Sequence, residues 1–228
     1  MDTVLLTGFE PFGGDTRNPS IEVARALEGE VVRGRVVRSV ELPCVFGRAL
    51  PVLDDAIARL RPVLVICLGL AASRTALGVE RVAINLDDAP IPDNAGESPR
   101  DRPVVDGGPA AYFSTLPVKA IAAAWDEAGL PGEVSLSAGS YLCNHVFYGL
   151  QHRGAQARTG TAGAGPAWPS GFIHLPLTAE MAAGRLDVEG MPMDRMEAGV
   201  RRAIEVSLDV LDGADPGVDL PGTGGRID

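Results

Sequence analysis

The chain has 228 residues, 46% of them hydrophobic, enough for one compact domain with a full core. Its formal net charge of -10 comes with no basic stripe, which argues against nucleic-acid binding. Three cysteines, Cys44, Cys67 and Cys143, are too few for a disulfide framework and fit a reducing cytoplasm; no signal peptide and no membrane-length apolar run is read.

Residues 4–7 form a short apolar run closed by Gly8, the pattern of a buried strand. A Gly/Pro/Phe loop follows over 8–17. Asn18-Pro19-Ser20 then reads as a helix start, with Asn as N-cap and Pro at the first helical position. Residues 31–42 are valine-rich and predict one or two strands. Residues 48–61 have helical periodicity, with Pro51 confined to the first turn. The continuous apolar run 63–69 marks a central strand covered on both faces. A strand is expected over 80–85, and 86–109 is a long Asp/Pro/Gly-rich loop. A helix over 117–128 ends at Gly129. A strand over 134–137, a helix over 143–152, a strand over 171–175 and a helix over 195–212 complete the pattern.

Alternating strands and helices predict a three-layer α/β/α sandwich with a mainly parallel or mixed central sheet. Residues 1–212 read as a single catalytic domain. Residues 154–169, rich in Gly, Ala and Pro, read as a poorly ordered connection, and 213–228 as a flexible tail. Sites in such sheets form at the carboxyl ends of strands. The loop after the first strand, Glu80, the turn before Cys143 and the end of the 171–175 strand are expected to meet there.

Cys143 lies in Ser137-Ala138-Gly139-Ser140-Tyr141-Leu142-Cys143-Asn144-His145, a strand end, a Gly turn and a helix start. At a helix N-terminus a thiol pKa can fall to about 3.5–7.5, which would make Cys143 a nucleophile. A thiol nucleophile needs a base, and the base needs an orienting group. His145, two residues on, points to nearly the opposite side of a helix. His152 reads as a partner for the C-terminal dipole of the same helix. His174, in an apolar strand stopped by Pro176, is the best base, although such a histidine is often a satisfied core residue. Glu80 is an acid in an otherwise apolar segment. It reads either as a surface partner of Arg81 or as the carboxylate that holds His174. The loop after the first strand is not a Walker A cradle, because Gly14 stands at the lysine position. Phe9 and Phe12 suit a pocket wall or ordinary core packing. No residue cluster has metal-ligand spacing.

Six ordered motifs then carry a resemblance. They are Thr7-Gly8-Phe9-Glu10-Pro11-Phe12-Gly13-Gly14 with Asn18-Pro19-Ser20; Glu80-Arg81-Val82-Ala83-Ile84-Asn85; Ile91-Pro92-Asp93-Asn94; Gly108-Pro109-Ala110-Ala111-Tyr112-Phe113-Ser114-Thr115-Leu116-Pro117; Ser137-Ala138-Gly139 with Cys143-Asn144-His145-Val146-Phe147-Tyr148-Gly149; and Gly171-Phe172-Ile173-His174-Leu175-Pro176. Over about residues 3–176 the chain resembles pyroglutamyl peptidase type I, also called pyrrolidone-carboxylate peptidase, peptidase family C15. The resemblance implies a cytoplasmic, cofactor-free cysteine exopeptidase that removes N-terminal pyroglutamyl residues from peptides. It implies a triad of Glu80, Cys143 and His174, and a pyroglutamyl pocket at Phe9, Phe12 and Asn18, near Leu70 and Leu142. It also implies a homodimer or homotetramer; the expectation of no metal and of neither nucleic acid nor membrane as partner comes from the residue spacing, charge and apolar runs above. Residues 155–169 and the segment after Pro176 depart from the family pattern, and so do two single positions. Asp88-Ala89-Pro90 replaces the usual Asp-Ala-Arg, and Leu70 stands where many members have Gln. The alternatives are a catalytically impaired pyroglutamyl-binding homologue and another thiol-dependent hydrolase of small amides.

Overall fold

The computed structural model describes residues 1–159, 168–183 and 189–215. A seven-stranded sheet is built from β1 (Thr3–Phe9), β2 (Val31–Val32), β3 (Arg35–Leu42), β4 (Leu64–Leu70), β5 (Leu77–Glu80), β8 (Gly132–Ser135) and β9 (Ser170–Leu175). Their order is β2-β3-β1-β4-β9-β5-β8. β3, β1, β4 and β9 are parallel to one another. β5 runs against β9 and parallel to β8, and β2 runs against β3, so the sheet is mixed. β6 (Val82–Ile84) and β7 (Ala111–Phe113) form a separate antiparallel ribbon.

The period-two alternation of side chains divides the core. Val4, Leu6, Leu64, Ile66, Leu68, Leu77, Val79, Ile173 and Leu175 face one way. They pack against α1 (Pro19–Ala26), α3 (Val118–Glu127) and α6 (Met193–Leu211). Leu5, Val65, Cys67 and Phe172 face the other way. They pack against α2 (Ala49–Leu60) and α4 (Leu142–Thr159). The result is the expected three-layer sandwich. β4 is buried at all seven positions, as its unbroken apolar run predicts. Gly8 lets α1 lie directly on β1, because a Cβ there would sit 2.4 Å from the backbone of Ser20 and Ile21. Four-residue α5 (Ala179–Ala182), capped by Thr178, follows β9. No described helix is long and apolar enough to cross a membrane.

Several boundaries differ from the sequence expectations. The single strand expected over 80–85 is two. β5 ends at Glu80, and the chain leaves the main sheet through Arg81 to enter the ribbon at Val82. Arg81 bonds Ser135 through its N–H and Ser114 through its carbonyl, which fixes this turn. α4 runs past His152 to Thr159, so residues 154–159 are helical, not part of an irregular connection. Trp168 is buried in the core, whereas residues 160–167 lie outside the described residues. Of the expected tail, 213–215 continue the turn that closes α6, with Ala214 N–H donating to Asp209, and 216–228 lie outside the described residues.

Candidate active site

His174 is the fifth residue of β9, and the strand ladder gives it a glycine on each side. It is level with Gly69 of β4 and with Gly78 of β5. Neighbours in register point to the same face of a sheet. The imidazole therefore stands on the α2/α4 face with bare backbone on either flank. Both flanks are occupied by side chains from elsewhere. A Cβ at Gly69 would lie 2.8 Å from Cys143 Sγ and 2.7 Å from Phe172 Cζ. The thiol thus rests over β4 beside the imidazole. A Cβ at Gly78 would lie 2.0 Å from Arg74 Nη1 and 3.8 Å from Glu80 Oε1.

Glu80 is fully buried, and its Oε1 accepts from His174 Nδ1 at 2.7 Å. A carboxylate acceptor keeps the imidazole proton on Nδ1 and leaves the Nε2 lone pair free. The same Oε1 lies 2.9 Å from Arg74 Nη2. The surface pairing of Glu80 with Arg81 is therefore overturned in favour of Arg74. Glu80 ends β5, which is parallel to β8 but runs against β9, so it reaches His174 from a strand of opposite direction. The site forms across an antiparallel junction, with the ends of β4 and β9 on one side.

Cys143 is the second residue of α4. The first bond along the helix axis runs from His145 N–H to the Tyr141 carbonyl at 3.0 Å. The amides of Leu142, Cys143 and Asn144 precede it, so they are the unpaired donors that every helix start presents. Asn144 anchors this end of the helix. Its Oδ1 accepts from Ile84 N–H at 3.0 Å, and its Nδ2 donates to the Ile84 and Leu86 carbonyls, both at 2.9 Å. His145 bonds the buried Asp87 carboxylate at 3.0 Å through Nδ1. His152 bonds Tyr112 and Gln156 in mid-helix, so it is not a dipole partner at a helix end. Neither is placed beside the thiol.

The expectation of a low thiol pKa is not met. Burial pushes the Cys143 thiol up to about 12; Glu80 adds to this and Arg74 opposes it. Cys143 is only half-buried, and the helix N-terminus opposes the rise by at most ~2 kcal/mol. Burial also pulls His174 below its ordinary value, against the pull of Glu80. The resting pair is therefore thiol and neutral imidazole, and charge separates only when the thiol is used.

The proposed pocket residues divide by depth. Phe9 and Leu142 are buried among the α2/α4-side core. Leu70 packs with Leu177 and Ala182. Half-buried Phe12 packs against both of these groups, and its ring lies 6.2 Å from that of Tyr141. Tyr141, unforeseen from the sequence, also packs edge-on to Phe46 at 5.5 Å. Asn18 is buried, and its polar atoms are largely engaged within the chain. Oδ1 accepts from Ser20 N–H and Oγ–H, while Nδ2 donates to the Glu10 carbonyl at 3.1 Å. One Nδ2 hydrogen is left over. The loop bearing Phe12 is held by Glu10, whose carboxylate accepts from Cys44 N–H at 3.0 Å and Asn94 Nδ2 at 2.8 Å.

A model of the pyroglutamyl peptidase family, C15, matches residues 2–210. The pyrrolidone-carboxylate peptidase of Chromobacterium violaceum is 52% identical, over 91% of this chain and 93% of its own. That of Klebsiella pneumoniae is 50% identical, over 91% and 94%. Among solved structures, pyroglutamyl peptidase I of Bacillus amyloliquefaciens superposes with a TM-score of 0.85 at 37% identity, covering 91% of this chain and 97% of that one. Pyrrolidone carboxyl peptidase of Thermococcus litoralis does so at 0.89 and 34%, covering 97% and 100%. With that agreement along nearly the whole chain, and an imidazole flanked by a thiol and a buried carboxylate, the chain belongs to the pyroglutamyl peptidase family, C15.

Proposed function

We propose that the chain is a cysteine exopeptidase that removes an N-terminal pyroglutamyl residue, with Cys143 as nucleophile, His174 as base and Glu80 as the group that orients it. The observation that carries this reading is the placement of the His174 ring between the Cys143 sulfur over Gly69 and the Glu80 carboxylate. As Sγ bonds to the pyroglutamyl carbonyl carbon, its proton passes to Nε2 of His174. The imidazolium forms against Glu80. The oxyanion is met by the unpaired amides at the start of α4. The C–N bond then breaks, and Nε2 returns its proton to the leaving amine. Water attacks the thioester and gives its proton to Nε2; the thiol departs with that proton.

Phe12, Leu70 and Tyr141, backed by Phe9 and Leu142, form an apolar wall suited to a flat uncharged lactam, and the remaining Nδ2 hydrogen of Asn18 is its donor. Prolyl peptides share the ring size but carry an ammonium charge and lack the lactam carbonyl. The expected ratio of kcat/KM for pyroglutamyl over prolyl amides of one amine is therefore about 10⁴. Comparable values would sink the pocket assignment. Cys143→Ser should lose nearly all activity, and iodoacetamide inactivation should track modification of Cys143 in peptide mass spectra. Inactivation by modification of Cys44 or Cys67 with Cys143 intact would refute the nucleophile.

Three free cysteines suit a reducing compartment such as the cytoplasm. Self-association into a dimer or tetramer is also proposed. Phe113 and Ile84, exposed on one face of the β6–β7 ribbon, are consistent with it, and a monomeric mass in light scattering would exclude it.

A further inference from the structure

We propose that Arg74 is a positioning residue for the triad: admitted over the bare Cα of Gly78, its guanidinium locks the Glu80 carboxylate against His174 and balances its buried charge. The proposal rests on the reading of Cys143, His174 and Glu80 as the reacting set.

Arg74 follows β4 in a turn closed by its own N–H to the Ala71 carbonyl at 3.0 Å. From there its side chain reaches across β5. Nη2 meets three acceptors, from β5, β8 and the turn after β8: Glu80 Oε1 at 2.9 Å, Ser135 Oγ at 2.9 Å and the Ser137 carbonyl at 3.1 Å. Ser135 is level with Glu80 in the β5–β8 ladder, so one guanidinium ties the two strands at the height of the carboxylate. The passage exists because residue 78 has no side chain. Gly78 has no positive φ, so its backbone does not demand glycine. A Cβ would stand 2.0 Å from Nη1, the movable end of the Arg74 side chain, so a side chain at 78 would displace the guanidinium from its present place.

The charge arithmetic explains why a cation belongs there. Glu80 is completely buried, and a lone buried carboxylate is strongly disfavoured. With Arg74 the resting set of thiol, neutral imidazole, carboxylate and guanidinium sums to zero. It still sums to zero after the proton moves from sulfur to imidazole. Without Arg74 both states carry a net buried negative charge. A carboxyl group neutralised in response would donate to Nδ1, leave the proton on Nε2 and present the wrong tautomer to the thiol. The titratable groups facing the row are Glu80 from β5, His174 from β9, Cys67 from β4 and Cys143 from α4, with Tyr141 and Cys44 beyond the thiol. Arg74 acts on the two reacting members in the same direction, drawing both Cys143 and His174 down.

The test compares the full-length chain with Arg74→Met, Arg74→Lys and Gly78→Ala. Two readouts are taken against pH: hydrolysis of a pyroglutamyl amide, and the rate of iodoacetamide alkylation at Cys143 by mass spectrometry. Arg74→Met is expected to lower kcat about 100-fold with KM little changed, as misorientation of a reacting group does. Its acid limb and its alkylation profile should both move up by about one pH unit. Arg74→Lys should restore most of the limb position. Gly78→Ala, which displaces the guanidinium and keeps its charge, should lower kcat in the same sense. Profiles for Arg74→Met that superimpose on the parent overturn the proposal. So does an Arg74→Lys enzyme that loses as much as Arg74→Met with no shift of either limb. If Arg74→Met fails to fold, parental kcat and parental limbs in both other variants overturn it. A parent chain that does not cleave pyroglutamyl amides refutes the proposed function instead, and the alkylation profiles still judge Arg74.

Discussion

A glycine on either side of His174 makes the site possible at the level of single residues. Each lies in an extended strand where a side chain would be the rule, and each leaves room for one functional group. The Gly69 flank gives a direct prediction. In Gly69→Ala the new Cβ would sit under 3 Å from both Cys143 Sγ and Phe172 Cζ. Phe172 is fully buried and packs 4.9 Å from the His174 ring, so neither neighbour can yield freely. A displacement near 1 Å at the reacting sulfur costs about 100-fold in rate, whereas overpacking costs ~1–3 kcal/mol in stability. Gly69→Ala should therefore remain folded by thermal melt while its kcat falls by about that factor. Parental kcat in a folded variant would show that the thiol does not react from its place over β4. Gly69 reads only as the end of the apolar run of β4, and Gly78 passes unremarked within an apolar segment, although a glycine inside a strand can mark a close approach. What approaches them was not visible: Cys143 is far from Gly69 in the chain, and Arg74, although only four residues before Gly78, reaches it by folding its side chain back across β5, which no local pattern signals.

At the scale of elements, legibility followed how local each signal was. The start of α1 was readable because Asn18-Pro19-Ser20 is a local cap, and Asn18 Oδ1 does accept from Ser20 N–H. β4 was readable because full burial on two faces leaves an unbroken apolar run. The end of β5 was not, since Arg81 leaves the sheet through bonds to Ser135 and Ser114, distant in the chain. The length of α4 was missed because Gly149 and Gly154 weaken its helical signal, while packing on β9 and α2 sustains it. Asn18 links cap and pocket, so its two roles can be separated. Asn18→Ala should lower stability by about 1 kcal/mol through loss of the cap. Asn18→Ser should recover most of that, because serine also caps, but neither variant can donate from Nδ2. Both should raise KM for pyroglutamyl amides. An unchanged KM in both would leave Asn18 as a cap and loop brace alone.

Taken as a whole, the molecule buries groups that titrate on both sides of neutrality, which shapes its stability against pH. Burial pulls His174 down, so the unfolded chain takes up a proton near pH 6.5 that the folded chain refuses. That contribution to stability is whole above about pH 6.5 and is lost as pH falls toward the folded value. Burial pushes Cys44 up and Cys67 up to about 12. Their contributions are whole below about pH 8.5 and are lost as pH rises, since the unfolded thiols ionise first. Stability should therefore be highest between about pH 6.5 and 8.5. Beyond the alkaline edge each buried thiol steepens the fall by ~1.4 kcal/mol per pH unit, and the net charge of -10 adds a general repulsion in the same direction. Cys67→Val separates the two effects. It removes one thiol from the middle of β4, keeps the position apolar and leaves the net charge at neutral pH unchanged. Thermal or urea unfolding followed from pH 7 to 10 should show a shallower alkaline fall for this variant, by about one thiol's share, with parallel curves below pH 8. Alkaline slopes that coincide would assign the whole decline to net charge and remove the buried thiols from the account.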